Sequence, residues 1–142
     1  MLLELLSATL GALDEWNGAA RDMLPIYVKA WLGLMLVNNL VAIVFLKNHV
    51  AARWIFAGFV ISHLLVVLGY WGTETPILAG QVSMFHIIFW TPGMIALWLT
   101  RKTIAWPSAY AVWAGLVCVF YFGSMTVDIG HTYTFLVHAF GP

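Results

Sequence analysis

Charged side chains are scarce in this chain. Of its 142 residues, only 8% are Asp, Glu, Lys or Arg, whereas 63% are hydrophobic. A water-soluble domain carries roughly 25% charged residues, because its surface must face water. The six basic and six acidic residues also cancel, so no net charge attracts nucleic acid and we expect no nucleic-acid partner. The composition therefore predicts a protein that covers most of its surface with lipid.

Cysteine is nearly absent, since Cys118 is the single one. One cysteine excludes an internal disulfide framework and any CxxC metal site. Cys118 lies in an apolar run, where a lone cysteine is usually a small packed side chain. Carboxylates are also few, and no nucleophile–base pair can be recognised, so the sequence does not indicate an enzyme that acts alone.

Long apolar runs are what the chain has in quantity. Four runs are long enough to cross about 30 Å of hydrocarbon, which takes roughly 20 residues of helix. They cover residues 25–46, 54–71, 81–100 and 104–127. Because the links are short, neighbouring helices must be antiparallel. The sequence predicts an all-α integral membrane protein, in which residues 25–142 form a bundle of four antiparallel transmembrane helices with a short outer tail.

The first 24 residues are apolar but interrupted by acids. Glu4, Asp14 and Glu15 lie among the leucines, which makes this segment too polar for a fifth span. It also lacks the basic beginning of a cleaved signal peptide. We predict that residues 1–24 form an amphipathic helix at the membrane interface. Packing against another subunit is the alternative.

Basic residues near the spans predict the orientation. Lys47 and Arg53 lie in the first link, Arg101 and Lys102 lie in the third, and the second link carries only Glu74. Cytoplasmic loops are enriched in Lys and Arg. We therefore expect the first and third links on the cytoplasmic side of a plasma or inner membrane, and both termini on the non-cytoplasmic side.

Two histidines lie inside the predicted spans, His63 in the second and His86 in the third. A helical rise of 1.5 Å per residue places them about 12 Å and roughly 8 Å below the same membrane boundary. Two facing imidazoles in a four-helix bundle are typical of haem ligation. His63 and His86 are therefore candidate ligands of haem b or a transition metal, with Ser83 orienting His86. The alternative is that each imidazole bonds a neighbouring helix and only stabilises the bundle.

A second group of polar residues follows the fourth span. Asp128, His131 and His138 are spaced three and seven residues apart, which places them on one face if the helix continues through Gly130. A carboxylate and two imidazoles can bind Zn, Cu or Fe, so these three are candidate metal ligands. Ordinary surface polarity at the membrane boundary is the alternative.

Other polar and aromatic side chains also fall inside spans. Asn38 and Asn39 are adjacent and point about 100° apart, so we expect one to face the bundle and the other to face another subunit. Trp31, Trp90 and Trp113 lie away from the interfaces, where each indole N–H needs a partner. Stacking on a flat cofactor and plain packing are both open.

Three functions are compatible with this sequence. The favoured one is a redox or metal- or haem-binding subunit of a larger membrane complex. The second is a channel or transporter subunit that acts as an oligomer, with Asn38, Asn39, Lys29 and a kink of the third helix at Pro92 along its path. The third is an accessory subunit without chemistry. The expected partners are the lipid bilayer and either other membrane subunits or further copies of the chain.

Overall fold

The computed structural model describes residues 25–73 and 79–140, and these form four α-helices without any strand. The helices are α1 (Ile26–Phe45), α2 (Val50–Thr73), α3 (Ala79–Thr100) and α4 (Ala109–Phe140), and a 3₁₀ turn at Arg101–Thr103 follows α3. All four are long and apolar enough to cross a membrane. The predicted all-α membrane fold is confirmed, whereas the predicted interfacial helix of residues 1–24 lies outside the described residues.

The four helices form a ring in which neighbours are antiparallel. α2 packs on α3, α3 packs on α4, and α1 packs on both α2 and α4. Contacts along α1 show the direction, because Trp31 near its start bonds Ser124 and Phe45 at its end packs on Tyr110. We call the end of the bundle that carries Lys47, Arg53, Arg101 and Lys102 the basic end, and the other end the opposite end.

Large apolar side chains cover the outside of the bundle. Val44, Leu99 and Phe122 are among those with more than half of their surface exposed. The interior holds aromatic and polar side chains as well as aliphatic ones, and Trp90, Tyr121 and Asn39 are fully buried there. Lipid removes the hydrophobic force between helices, so close packing and interhelical hydrogen bonds must hold such a bundle together.

Two glycines allow close contact between α2 and α3. A Cβ on Gly58 would overlap the carbonyl oxygen of Phe89, and a Cβ on Gly93 would lie 2.7 Å from Cγ1 of Ile55. Small residues let helix backbones approach in this way. α3 continues through Pro92, in agreement with the predicted span, and Gly93 beside it packs against Ile55 of α2. A kink at Pro92 stays a prediction.

α4 is longer than predicted at its C-terminal end. The expected span ended at residue 127, whereas the helix continues through Gly130 to Phe140. Gly130 does not end the helix because its φ is not positive and the sequence beyond it is again apolar. Asp128 therefore belongs to the membrane-spanning helix and is not part of a separate tail.

Candidate functional site

The two intramembrane histidines face each other across the contact between α2 and α3. The ring centroids of His63 and His86 are 6.1 Å apart, and their planes differ by 32°. His63 lies about 15 Å from the end of α2 at Thr73, and His86 lies about 10 Å from the start of α3 at Ala79. The two imidazole rings are therefore close together, as the sequence predicted. Both lie in the half of the bundle that is nearer the opposite end.

The His63 ring is oriented by its own helix. Its Nδ1 lies 2.8 Å from the carbonyl oxygen of Phe59, one turn earlier in α2, and 3.3 Å from Oγ of Ser62. A carbonyl oxygen can only accept, so Nδ1 carries the hydrogen and donates it. In the neutral ring, Nε2 then keeps its lone pair. The ring has an open side, since His63 is exposed at the lipid-facing surface.

The His86 ring is oriented by α4. Its Nδ1 lies 3.2 Å from Oδ2 of Asp128, and the two side chains are only 17% and 12% exposed. A carboxylate oxygen can accept a hydrogen bond from Nδ1, and in the neutral ring this tautomer leaves Nε2 with a lone pair. One face of the His86 ring stacks on Trp90, with ring centroids 4.1 Å apart. Asp128 thus has the orienting role that the sequence assigned to Ser83.

Hydrogen bonds and stacking connect Trp90, beside His86, to the centre of the bundle. The indole N–H of Trp90 donates to Oγ of Ser62 at 3.2 Å, and its ring stacks on Tyr121 with centroids 4.4 Å apart. The Tyr121 hydroxyl donates to Oδ1 of Asn39 at 2.6 Å, and Nδ2 of Asn39 donates to the carbonyl of Met35 at 3.0 Å. This network fixes Trp90 and therefore one face of the His86 ring.

The two other tryptophans of the spans and the two adjacent asparagines also make their contacts inside the bundle. Trp31 donates to Ser124 at 3.3 Å and Trp113 donates to the carbonyl of Asn38 at 2.9 Å, so protein groups meet the expected need of each indole N–H. Asn38 and Asn39 are both buried. The expectation that one of them faces another subunit is wrong, because α1 has neighbours on two sides. Nδ2 of Asn38 is buried and finds no hydrogen-bond partner among the residues that the structure describes.

The second predicted ligand set is only partly described. Asp128 pairs with His86, His131 is exposed one turn further along α4, and the side chain of His138 lies outside the description. Among the described residues, no group of three or more His, Cys, Asp or Glu side chains is placed to hold a metal ion. A metal site formed by Asp128, His131 and His138 therefore stays a prediction.

The pairing of Asp128 with His86 was missed from the sequence, although a signal for it existed. Asp128 is the one charged residue in α4, and a lone carboxylate in a membrane helix requires a partner. The apolar residues that follow, Phe135 to Val137, indicate that the helix continues. Recognising that extension would have placed Asp128 at the depth of the two histidines.

The side chains of His63, His86 and Asp128 allow two kinds of chemistry. Two imidazoles with free Nε2 atoms can share one metal ion, and an imidazole paired with a carboxylate can accept and release a proton. Comparison of the chain with family models, with curated proteins and with solved structures gave no match.

Proposed function

We propose that this four-helix membrane protein binds one metal centre between His63 and His86 and acts as a redox subunit of a larger membrane complex. Haem b is the centre that two imidazole ligands suit best, because haem iron takes its two axial ligands from the protein. The proposal rests chiefly on one observation: Nδ1 of each facing imidazole lies within hydrogen-bond distance of an oxygen acceptor, which in a neutral ring leaves Nε2 available to a metal.

Metal-binding histidines almost always donate their second ring N–H to a carboxylate, a carbonyl or water. His63 donates to the Phe59 carbonyl and His86 donates to Asp128. Such bonds fix the ring orientation, select the tautomer and increase the basicity of the coordinating nitrogen. A simple structural role for the two histidines would not require that both rings leave Nε2 free.

The spacing of the rings also supports a shared ion. A metal–imidazole bond is about 2 Å long, and each ring adds about 1 Å between Nε2 and its centre, so two rings on opposite sides of one ion have centres roughly 6 Å apart. The observed separation of 6.1 Å agrees with this value. The distance between the rings is therefore compatible with one metal ion that His63 and His86 would hold together.

The space around the rings limits how a porphyrin can lie. Towards the basic end, the contact between Gly58 and the Phe89 carbonyl leaves no room between α2 and α3. The lipid-facing side of His63 is open, so the residues fit a haem whose ring extends towards lipid. Such a haem would supply one-electron transfer, while His63 and His86 bind it and Asp128 orients His86.

Proton transfer is the second candidate function. It is favoured by the pair of His86 and Asp128 inside a span, because carboxylates and imidazoles within membranes recur in proton relays. The path through Asn38 and Asn39 has less support, since both are packed in the core beside Trp113 and Tyr121. A proton path would instead pass His63, His86 and Asp128.

The test is the haem and metal content of the detergent-purified protein. We expect about one haem per chain in the wild type and almost none in His63→Ala or His86→Ala. His49→Ala is the matched control, because His49 stacks on Tyr110 at the basic end, with centroids 3.5 Å apart, and it should keep the wild-type content. Circular dichroism must show that all variants are helical.

Two results would contradict the proposal. One is a folded wild-type protein that contains neither haem nor metal after expression with added iron and haem precursor. The other is an unchanged content in both histidine variants. Proton flux into liposomes that is lost in Asp128→Asn, in protein free of metal, would favour the second candidate instead.

A further inference from the structure

An apolar groove lies between α3 and α4, and neither His63 nor His86 lines it. Its volume is about 680 Å³. Ile95 and Trp98 line it from α3, Gly115, Cys118 and Met125 line it from α4, and Arg101 lies at its mouth. Gly115 deepens the groove because it has no side chain, and nothing lies within 4 Å of the position that a Cβ would occupy there.

The groove is long enough to hold a fatty acyl chain. On α4 it extends from Ala111 to Met125, which corresponds to about 21 Å along the helix axis at 1.5 Å per residue. One leaflet contributes about half of the roughly 30 Å hydrocarbon thickness of a membrane. A chain that enters at the basic end can therefore lie in the groove over the whole depth of its leaflet.

A fixed cation lies at the mouth of this groove. The Arg101 guanidinium lies 3.9 Å above the centre of the Trp98 ring, and one of its nitrogens donates to the Trp98 carbonyl at 2.6 Å. Arg101 is exposed, and its other N–H groups bond no residue within the described part of the chain. A guanidinium suits the paired oxygens of a phosphate. Lys102 is exposed next to it.

We propose that this groove binds one anionic phospholipid, with an acyl chain between α3 and α4 and its phosphate on Arg101. Charge complementarity at the mouth selects an anionic amphiphile over a neutral one. The other basic residues of this end, Lys47, Arg53 and Lys102, suit the anionic surface of a cytoplasmic leaflet. This inference does not depend on the function proposed for His63 and His86.

A helix from a second copy is a poorer occupant. An apolar helix face could pack into the groove, but it would bring no anion to Arg101. A neutral quinone would leave Arg101 without an anion. The experiment distinguishes a second copy and a quinone from an anionic lipid.

The experiment measures binding of phosphatidylglycerol and phosphatidylcholine to the purified full-length protein by native mass spectrometry. Gly115→Leu adds a side chain to the groove at a position where a Cβ meets nothing within 4 Å. Gly33→Leu is its matched control, because Gly33 on α1 is equally open and exposed. Arg101→Gln removes the charge at the mouth. Far-UV circular dichroism shows whether each variant keeps its helices.

We expect the wild type and Gly33→Leu to bind phosphatidylglycerol at least tenfold more tightly than phosphatidylcholine. Gly115→Leu should weaken binding of both lipids about tenfold, and Arg101→Gln should remove most of the preference for the anionic lipid. Equal binding of the two lipids by the wild type would overturn the proposal. So would unchanged binding by Gly115→Leu, a neutral quinone as the molecule that Gly115→Leu displaces, or a dimer that this variant dissociates. If Gly115→Leu does not fold, the lipid preference of Arg101→Gln decides.

Discussion

The close contact between α2 and α3 makes Gly58→Ala the most informative single substitution. The added Cβ would overlap the carbonyl oxygen of Phe89 and lie 3.0 Å from its carbonyl carbon. Backbone atoms cannot rotate away as the end of a flexible side chain can. α2 and α3 must therefore move apart by roughly 1 Å, a gap that forfeits up to about half of the dispersion attraction between facing atoms.

Two effects of opposite sign determine the magnitude for Gly58→Ala. Overpacking that displaces a backbone costs about 3 kcal/mol in the free energy of unfolding, at the upper end of the usual range. Alanine stabilises the helix by about 1 kcal/mol relative to glycine. The net result should be a loss of about 2 kcal/mol, and because Phe89 is only one turn from His86, binding of the metal centre should weaken as well.

Reversible unfolding in mixed micelles, followed by far-UV circular dichroism, measures this loss. Gly33→Ala is the control, because an added Cβ at Gly33 meets nothing within 4 Å, and it should be neutral or stabilising by up to about 1 kcal/mol. If Gly58→Ala were as stable as Gly33→Ala, the close packing of α2 on α3 would be wrong, and with it the position of the two histidines.

Three further predictions concern Asp128, Tyr121 and the orientation. Asp128→Asn should weaken metal binding 10–100-fold in a folded protein, because the bond that orients His86 loses its charge. Titration of the metal-free protein measures the affinity, and an unchanged value would contradict the role of Asp128 in orienting His86. Tyr121→Phe should lower the free energy of unfolding by about 1–3 kcal/mol, because it leaves the buried Oδ1 of Asn39 without its hydrogen bond; a variant as stable as the wild type would refute it. In a cysteine-free background, a membrane-impermeant thiol reagent added to intact cells should label Ala139→Cys at the opposite end and leave Asn48→Cys unlabelled; the reverse pattern would invert the predicted orientation.

The fold could be predicted from the sequence because one physical requirement dominates it. Apolar runs of about 20 residues without charge have few stable arrangements other than helices across a bilayer. The sequence left the end of α4 open, because Asp128 and Gly130 together resemble a helix end, and in the structure the chain continues as a helix to Phe140. A carboxylate inside a span is tolerated there because His86 pairs with it.

The candidate site could be predicted only in part. Helical rise alone places His63 and His86 at similar depth, and their separation follows from that and from the antiparallel neighbours. The partner of His86 could not be predicted, because the rotation of α4 about its own axis decides which side chain faces α3. The same limitation applies to Asn38 and Asn39, which are both buried because α1 packs against α2 and α4 together.

The most direct test of a metal centre between His63 and His86 is the absorption spectrum of the purified protein, first oxidised and then reduced with dithionite. Haem ligated by two imidazoles should give a Soret band and sharp α and β bands on reduction. These bands should be absent from His63→Ala and from His86→Ala. A wild-type spectrum without visible bands, together with no bound metal, would contradict the account, as would bands that remain unchanged in both variants.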